Sequence, residues 1–114
     1  MKFYTAGGAV RDLLLGKPPR DVDFAFAGTQ EAFLEIMPQA QKVNKGTQTV
    51  WIADKQEFVR LRGDSPADDI VQRDFTINAL LLDQYGFLYT HAQTFHDLTH
   101  KIIRPVRATS LADD

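Results

Sequence analysis

Asp21 and Asp23 stand one residue apart inside an apolar run formed by Val22, Phe24 and Phe26. Read as a strand, that spacing puts both carboxylates on one face and the three apolar side chains on the other. The apolar face belongs on a core. The acidic face then carries two hard oxygen donors about 7 Å apart, which suits one or two Mg²⁺ ions bringing a nucleoside triphosphate. Upstream, Gly7 and Gly8 leave another apolar run, and Arg11 follows one helical turn later. Glycines there let backbone N–H groups approach a ligand, and a helix after them turns its positive end toward anions. Arg11 adds a planar fork for phosphate oxygens. These residue types suit metal-assisted phosphate chemistry.

The arrangement GGxVRDxLLG, a short spacer and then DxD resembles the catalytic head of tRNA nucleotidyltransferases (CCA-adding enzymes) and bacterial poly(A) polymerases. Arg73-Asp74-Phe75-Thr76-Ile77-Asn78-Ala79-Leu80 resembles the second hallmark of that family, RRDFTINAL. With a weaker match in the tail, the resemblance covers nearly the whole chain. It implies a mixed sheet of about five strands covered by helices. It implies Mg²⁺ as cofactor on Asp21 and Asp23, with Glu57 of an ExxxxR-like string as the third catalytic carboxylate that two-metal phosphoryl chemistry needs from a neighbouring strand. Nucleotide contacts are implied for Gly7, Gly8, Arg11, Arg73, Asp74 and Asn78. Asp74 would also cap a following helix, and Asn78 would face the nucleotide sugar or hold that helix against the sheet. The implied reaction is nucleotidyl transfer from ATP or CTP to the 3′-end of tRNA or another RNA, as in CCA addition or polyadenylation. The alternative is a non-catalytic nucleotide- or RNA-binding module derived from that head.

The chain departs from the family in three places. Gln72 stands where a second arginine is usual, and Thr90-His91-Ala92-Gln93-Thr94 replaces a DPFGG segment. The closing SLADD resembles the start of the family's next helix, which continues with a proline and arginines. The expectation is a single catalytic head over residues 1–114, lacking the neck, body and tail that read the base and grip tRNA.

Other features have ordinary readings. Neither GxxxxGK[ST] nor GxGxxG occurs, so the P-loop and the dinucleotide fingerprint do not apply. His96 and His100 are spaced i, i+4 but lack an HExxH pattern, and read with His91 as surface histidines. Trp51 reads as packing, and Arg60 and Arg62 as a solvated strand face, with contact to nucleic acid as the alternative.

The elements that must position the site follow from periodicity. Lys2 to Ala6 reads as a buried strand. Ala9 to Leu15 reads as a helix with Val10, Leu13 and Leu14 on one side, ended by Gly16 and Pro18-Pro19. Arg20 to Ala27 is the acidic strand. Thr29 caps a helix with the stripe Ala32, Phe33, Ile36 and Met37. Thr49 to Ala53 and Glu57 to Arg62 read as a hairpin turning at Asp54-Lys55, and residues 63–69 as a polar loop. A helix is expected from Asp74 or Thr76 through Leu82, a strand at Phe87 to Tyr89, and a helical turn at Asp97 to Lys101. The class is α/β shading to α+β.

At 114 residues the chain is one domain, able to bury roughly two-thirds of its unfolded surface. Thirteen basic against fifteen acidic residues leave a net charge of −2, which supplies no large basic footprint for nucleic acid. Cysteine is absent, which excludes disulfides and thiolate zinc sites. No apolar run approaches the roughly 20 residues of a membrane span, and no signal peptide is visible, so a cytoplasmic location is expected.

Overall fold

Seven strands hydrogen-bond into one sheet in the computed structural model, which describes residues 1–19 and 22–107. Asp21, Arg20 and the closing SLADD lie outside the described residues. In chain order the elements are β1 (Lys2–Ala6), α1 (Gly8–Leu14), β2 (Asp23–Ala27), α2 (Gln30–Ile36), β3 (Gln41–Lys45), β4 (Gln48–Ala53), β5 (Gln56–Arg60), α3 (Pro66–Ile70), a 3-10 turn (Thr76–Asn78), β6 (Leu80–Asp83), β7 (Leu88–Thr90) and α4 (Thr94–His100). The sheet order is β3-β4-β5-β2-β1-β6-β7. Only the central β2–β5 pair is parallel; every other neighbouring pair is antiparallel.

The two faces of the sheet carry separate apolar clusters, because successive side chains of a strand alternate. On one face Phe26, Trp51, Ala53 and Phe58 pack under Phe33 of α2. The Phe26 and Phe33 rings stack with centroids 4.3 Å apart, and Trp51 lies 6.0 Å from Phe33, so Trp51 is core packing as expected. On the other face Tyr4, Ala6, Ala25, Leu61, Ala79 and Leu81 pack with Ile70 of α3.

Local chemistry sets several boundaries. Thr29 Oγ1 accepts from the Ala32 N–H at 3.1 Å and starts α2. Asp54 and Lys55 both take positive φ, 52° and 65°, giving the tight β4–β5 hairpin.

Five expectations need correction. Residues 63–69 are not all loop: Ser65 Oγ accepts from the Asp68 N–H at 3.2 Å, and with Pro66 at the first turn it starts α3. The expected helix from Asp74 or Thr76 through Leu82 is instead one 3-10 turn followed by β6. Asp74 is not the cap residue of that turn; Phe75 occupies the cap position. The sheet has seven strands rather than about five, the additions being β3 and β6. Finally, Leu13, Leu14 and Ile36 are largely exposed, so α1 and α2 bury narrower stripes than their periodicity suggests.

A buried carboxylate pins the segment that carries the second motif. Asp97 of α4 has no exposed surface and accepts from Thr76 Oγ1 at 2.6 Å and from Arg104 Nε and Nη2 at 2.9 and 3.1 Å. The Arg104 hydrogen bonds, aided by Thr76, hold the Asp97 carboxyl below its ordinary value of 3.8, against the opposing effect of burial. A depressed carboxyl stabilises the fold fully above its unfolded value, and that contribution disappears as pH falls through the folded one. The stability difference between wild type and Asp97→Asn is therefore expected to be constant near neutrality and to shrink below about pH 3.8. Urea titrations of both proteins across that range measure it; a difference independent of pH would contradict the ion pair.

Candidate active site

The site sits at one end of the central strands. Ala6 of β1 pairs with Asp23 of β2, and Asp23 pairs in turn with Glu57 across the parallel β2–β5 step. Direct partners in neighbouring strands point to the same face, so Asp23 and Glu57 present adjacent carboxylates. Asp21 lies outside the described residues, and among those described no three metal-ligating side chains converge.

Lys45, at the end of β3, donates from Nζ to Glu57 Oε1. That hydrogen bond and the Glu57 charge, with Asp23 adding to them, raise the Lys45 pKa and keep the ammonium charged. Asp23, Lys45 and Glu57 line a 190 Å³ cavity together with Arg60, Arg62, Asp69 and Arg73.

Arg73 is held there by Asp69, a residue the sequence reading passed over. The nearly buried Asp69 carboxylate accepts from Arg73 Nε at 2.7 Å and from the Arg62 backbone N–H at 2.9 Å. It thereby ties the chain beyond β5 to the arginine. The signal was available, since Asp69 and Arg73 are an i, i+4 pair.

Gly7 forms the turn between β1 and α1 with φ 63° and ψ −128°, a conformation strained for any side chain with a Cβ. A Cβ at Gly7 would stand 3.6 Å from Arg73 Nη1, so the turn and the guanidinium are neighbours. The Gly7 N–H donates to the Leu80 carbonyl at 2.9 Å, so this amide serves the fold. Gly8 begins α1, where a Cβ would lie 3.4 Å from Arg11 Nη2.

Arg11 and Asn78 are brought together, with Arg11 Nη1 donating to Asn78 Oδ1 at 2.8 Å. Asn78 therefore positions an arginine, and it closes the one 3-10 turn rather than lying within a longer helix. Asp74 is exposed and is not among the residues lining the cavity; its carbonyl accepts from the Val106 N–H at 2.9 Å. His96 and His100 are exposed, with stacked rings 4.2 Å apart.

Lys45, Arg60 and Arg62 join the site against expectation. No pattern flagged Lys45, because β3 reads Gln-Lys-Val-Asn-Lys and only its Val43 is partly buried. Lysines on such an edge strand also discourage pairing with other chains.

Comparison with known proteins identifies the family. A family model described as the poly A polymerase head domain matches residues 3–60. A CC-adding tRNA nucleotidyltransferase of Halalkalibacterium halodurans is 36% identical over 104 residues, covering 89% of this chain and 28% of that protein. An A-adding tRNA nucleotidyltransferase of Aquifex aeolicus is 32% identical over 139 residues, covering 100% of this chain and 17% of that protein. A solved tRNA nucleotidyltransferase complexed with a primer tRNA and an incoming ATP analog matches with a TM-score of 0.72 at 30% identity, covering 99% of this chain and 38% of that one. The chain thus spans under a third of the length of either relative. With more than half of its residues matched by the family model, and its seven-stranded sheet matching a solved relative over nearly its whole length, the chain belongs to the poly A polymerase head domain family.

Proposed function

We propose that this chain is a nucleotidyl-transfer head that joins a nucleotide from ATP or CTP to the 3′-end of tRNA. The observation that carries the reading is the adjacent Asp23–Glu57 pair opening onto the cavity that also holds Arg73. Relatives named for CC addition and for A addition, and a solved relative complexed with tRNA and an ATP analog, support it. A cytoplasmic location goes with that substrate.

In the reaction the terminal ribose 3′-hydroxyl attacks the α-phosphorus, the bond to the β-phosphate oxygen breaks, and pyrophosphate leaves. Arg73, oriented by Asp69, offers its remaining N–H groups to the triphosphate, and Arg11, oriented by Asn78 and more loosely by Asp12, offers those it has left. Holding the triphosphate from both sides aligns it for in-line attack. Asp23 and Glu57, with Asp21 of the sequence motif, would hold Mg²⁺. The donor set fits, being hard oxygens side by side that already draw in a cation, the Lys45 ammonium. Bound there, Mg²⁺ would supply Lewis acidity for the attacking hydroxyl and for the charge developing on the phosphate.

Arg11 and Arg73 address phosphates and no base contact is assigned to Arg60 or Arg62, so the described residues of the site include no assigned reader of the base. The 114-residue chain is expected to bind Mg·ATP and Mg·CTP with similar, weak affinity, and to extend tRNA lacking its 3′-terminal CCA little or not at all. Arg73→Ala should weaken both nucleotides alike, by about 1.5–3 kcal/mol. Calorimetry with the two nucleotides and labelled tRNA extension test this. A loss confined to one nucleotide would make Arg73 a base reader, and failure to bind either nucleotide would overturn the proposal.

A further inference from the structure

Lys45 lies outside both sequence motifs, yet its ammonium sits against the acidic pair. It donates to Glu57 and lines the same cavity as Asp23. This ion pair contributes little to holding the fold together. The two side chains are 56% and 34% exposed, and exposed pairs of flexible side chains are weak. On its other side Lys45 lines an open groove with Arg60 and Arg62, and among the described residues no carboxylate lines that groove. The hairpin tip beside it is loosely surrounded, since nothing lies within 4 Å of where a Cβ on Gly46 would stand. A lysine head is a compact, strongly hydrated charge on a flexible stem, able to turn from one neighbour to another.

We propose that Lys45 is a resident counter-ion of the acidic site, competing with the divalent cation for Glu57 and turning, when displaced, into the groove it shares with Arg60 and Arg62 to meet substrate phosphate. The inference rests on reading Asp23 and Glu57 as metal ligands. A divalent ion carries twice the charge and binds carboxylate oxygens directly, so it displaces an ammonium that has only an exposed hydrogen bond to lose. Phosphate drawing Lys45 away frees Glu57, so metal and nucleotide favour each other's binding even before they touch.

The test is a titration of the 114-residue protein with Mn²⁺ alone, the free ion being followed by electron paramagnetic resonance. Wild type, Lys45→Met and Lys45→Arg are compared after thermal melts confirm that all three are folded. Lys45→Met is expected to bind Mn²⁺ roughly three- to tenfold more tightly than wild type, because one competing charge is gone. Lys45→Arg, which keeps the charge, should remain near wild type. With metal chelated away, ATP should bind Lys45→Met more weakly than wild type. Equal Mn²⁺ affinity in wild type and Lys45→Met would overturn the competition while leaving the metal site in place. Unchanged metal-free ATP affinity would overturn the turn toward phosphate. Failure of all three proteins to bind Mn²⁺ would overturn both this inference and the reading beneath it.

Discussion

Asp23→Ala is expected to weaken Mg²⁺-dependent ATP binding by more than about 100-fold and to leave the fold intact. Changing residues that merely orient metal ligands costs roughly 10–100-fold, so removal of a ligand itself should exceed that range. The fold should survive because the Asp23 side chain is exposed at the start of β2, while the apolar face of the strand, Phe24 and Phe26, is untouched. Taking one of two adjacent carboxylates away also relieves their mutual repulsion in the metal-free protein. Asp21→Ala is expected to behave likewise from its place in the motif. Calorimetry with Mg·ATP, alongside a thermal melt, separates binding from folding. Unchanged affinity in a folded Asp23→Ala protein would sink the metal assignment.

Phe33→Ala should cost about 3–5 kcal/mol of stability. Phe33 is fully buried and is the hub of one apolar cluster, stacked on Phe26 and within 6.4 Å, ring to ring, of Phe3, Trp51 and Phe58. Removing its ring leaves a cavity beneath α2 that four other rings cannot collapse to fill. Ile36→Ala, one turn further along the same helix, is the internal control. Ile36 is 51% exposed, so its truncation should change stability by no more than about 0.5 kcal/mol. Chemical denaturation of the two variants measures the contrast. Similar losses would mean that α2 buries the full stripe its periodicity suggests.

Helical periodicity does not by itself set how much of an apolar stripe is buried. Periodicity placed Phe33 and Ile36 on one stripe, because residues three apart share a helix face. How wide a stripe the sheet covers is decided by what packs on it, and α2 buries only Phe33 fully. The same holds for Leu13 and Leu14 of α1. β6 has no helix-or-strand signature of its own, because Leu80, Leu81 and Leu82 form a continuous apolar run that suits a helix or a doubly covered strand equally. Pairing with β1 and β7 settled it.

By itself the sequence determined the two motifs and the half-buried strands. Asp23 faces away from Phe24 and Phe26, Thr29 starts α2, and Asp54-Lys55 turns a hairpin, because alternation, capping and tight turns are set by residues close in the chain. Only the tertiary structure decided which distant residues share the site. Glu57, expected there only from the family resemblance, comes beside Asp23 because β5 joins β2 in parallel, a pairing made across the intervening α2, β3 and β4. Lys45 arrives because a strand without an apolar pattern closes the edge of the sheet, and Asp69 because a short capped helix carries it under Arg73. Such meetings depend on how elements stack and pair over long sequence separations, and no local pattern of residue types encodes that partner choice.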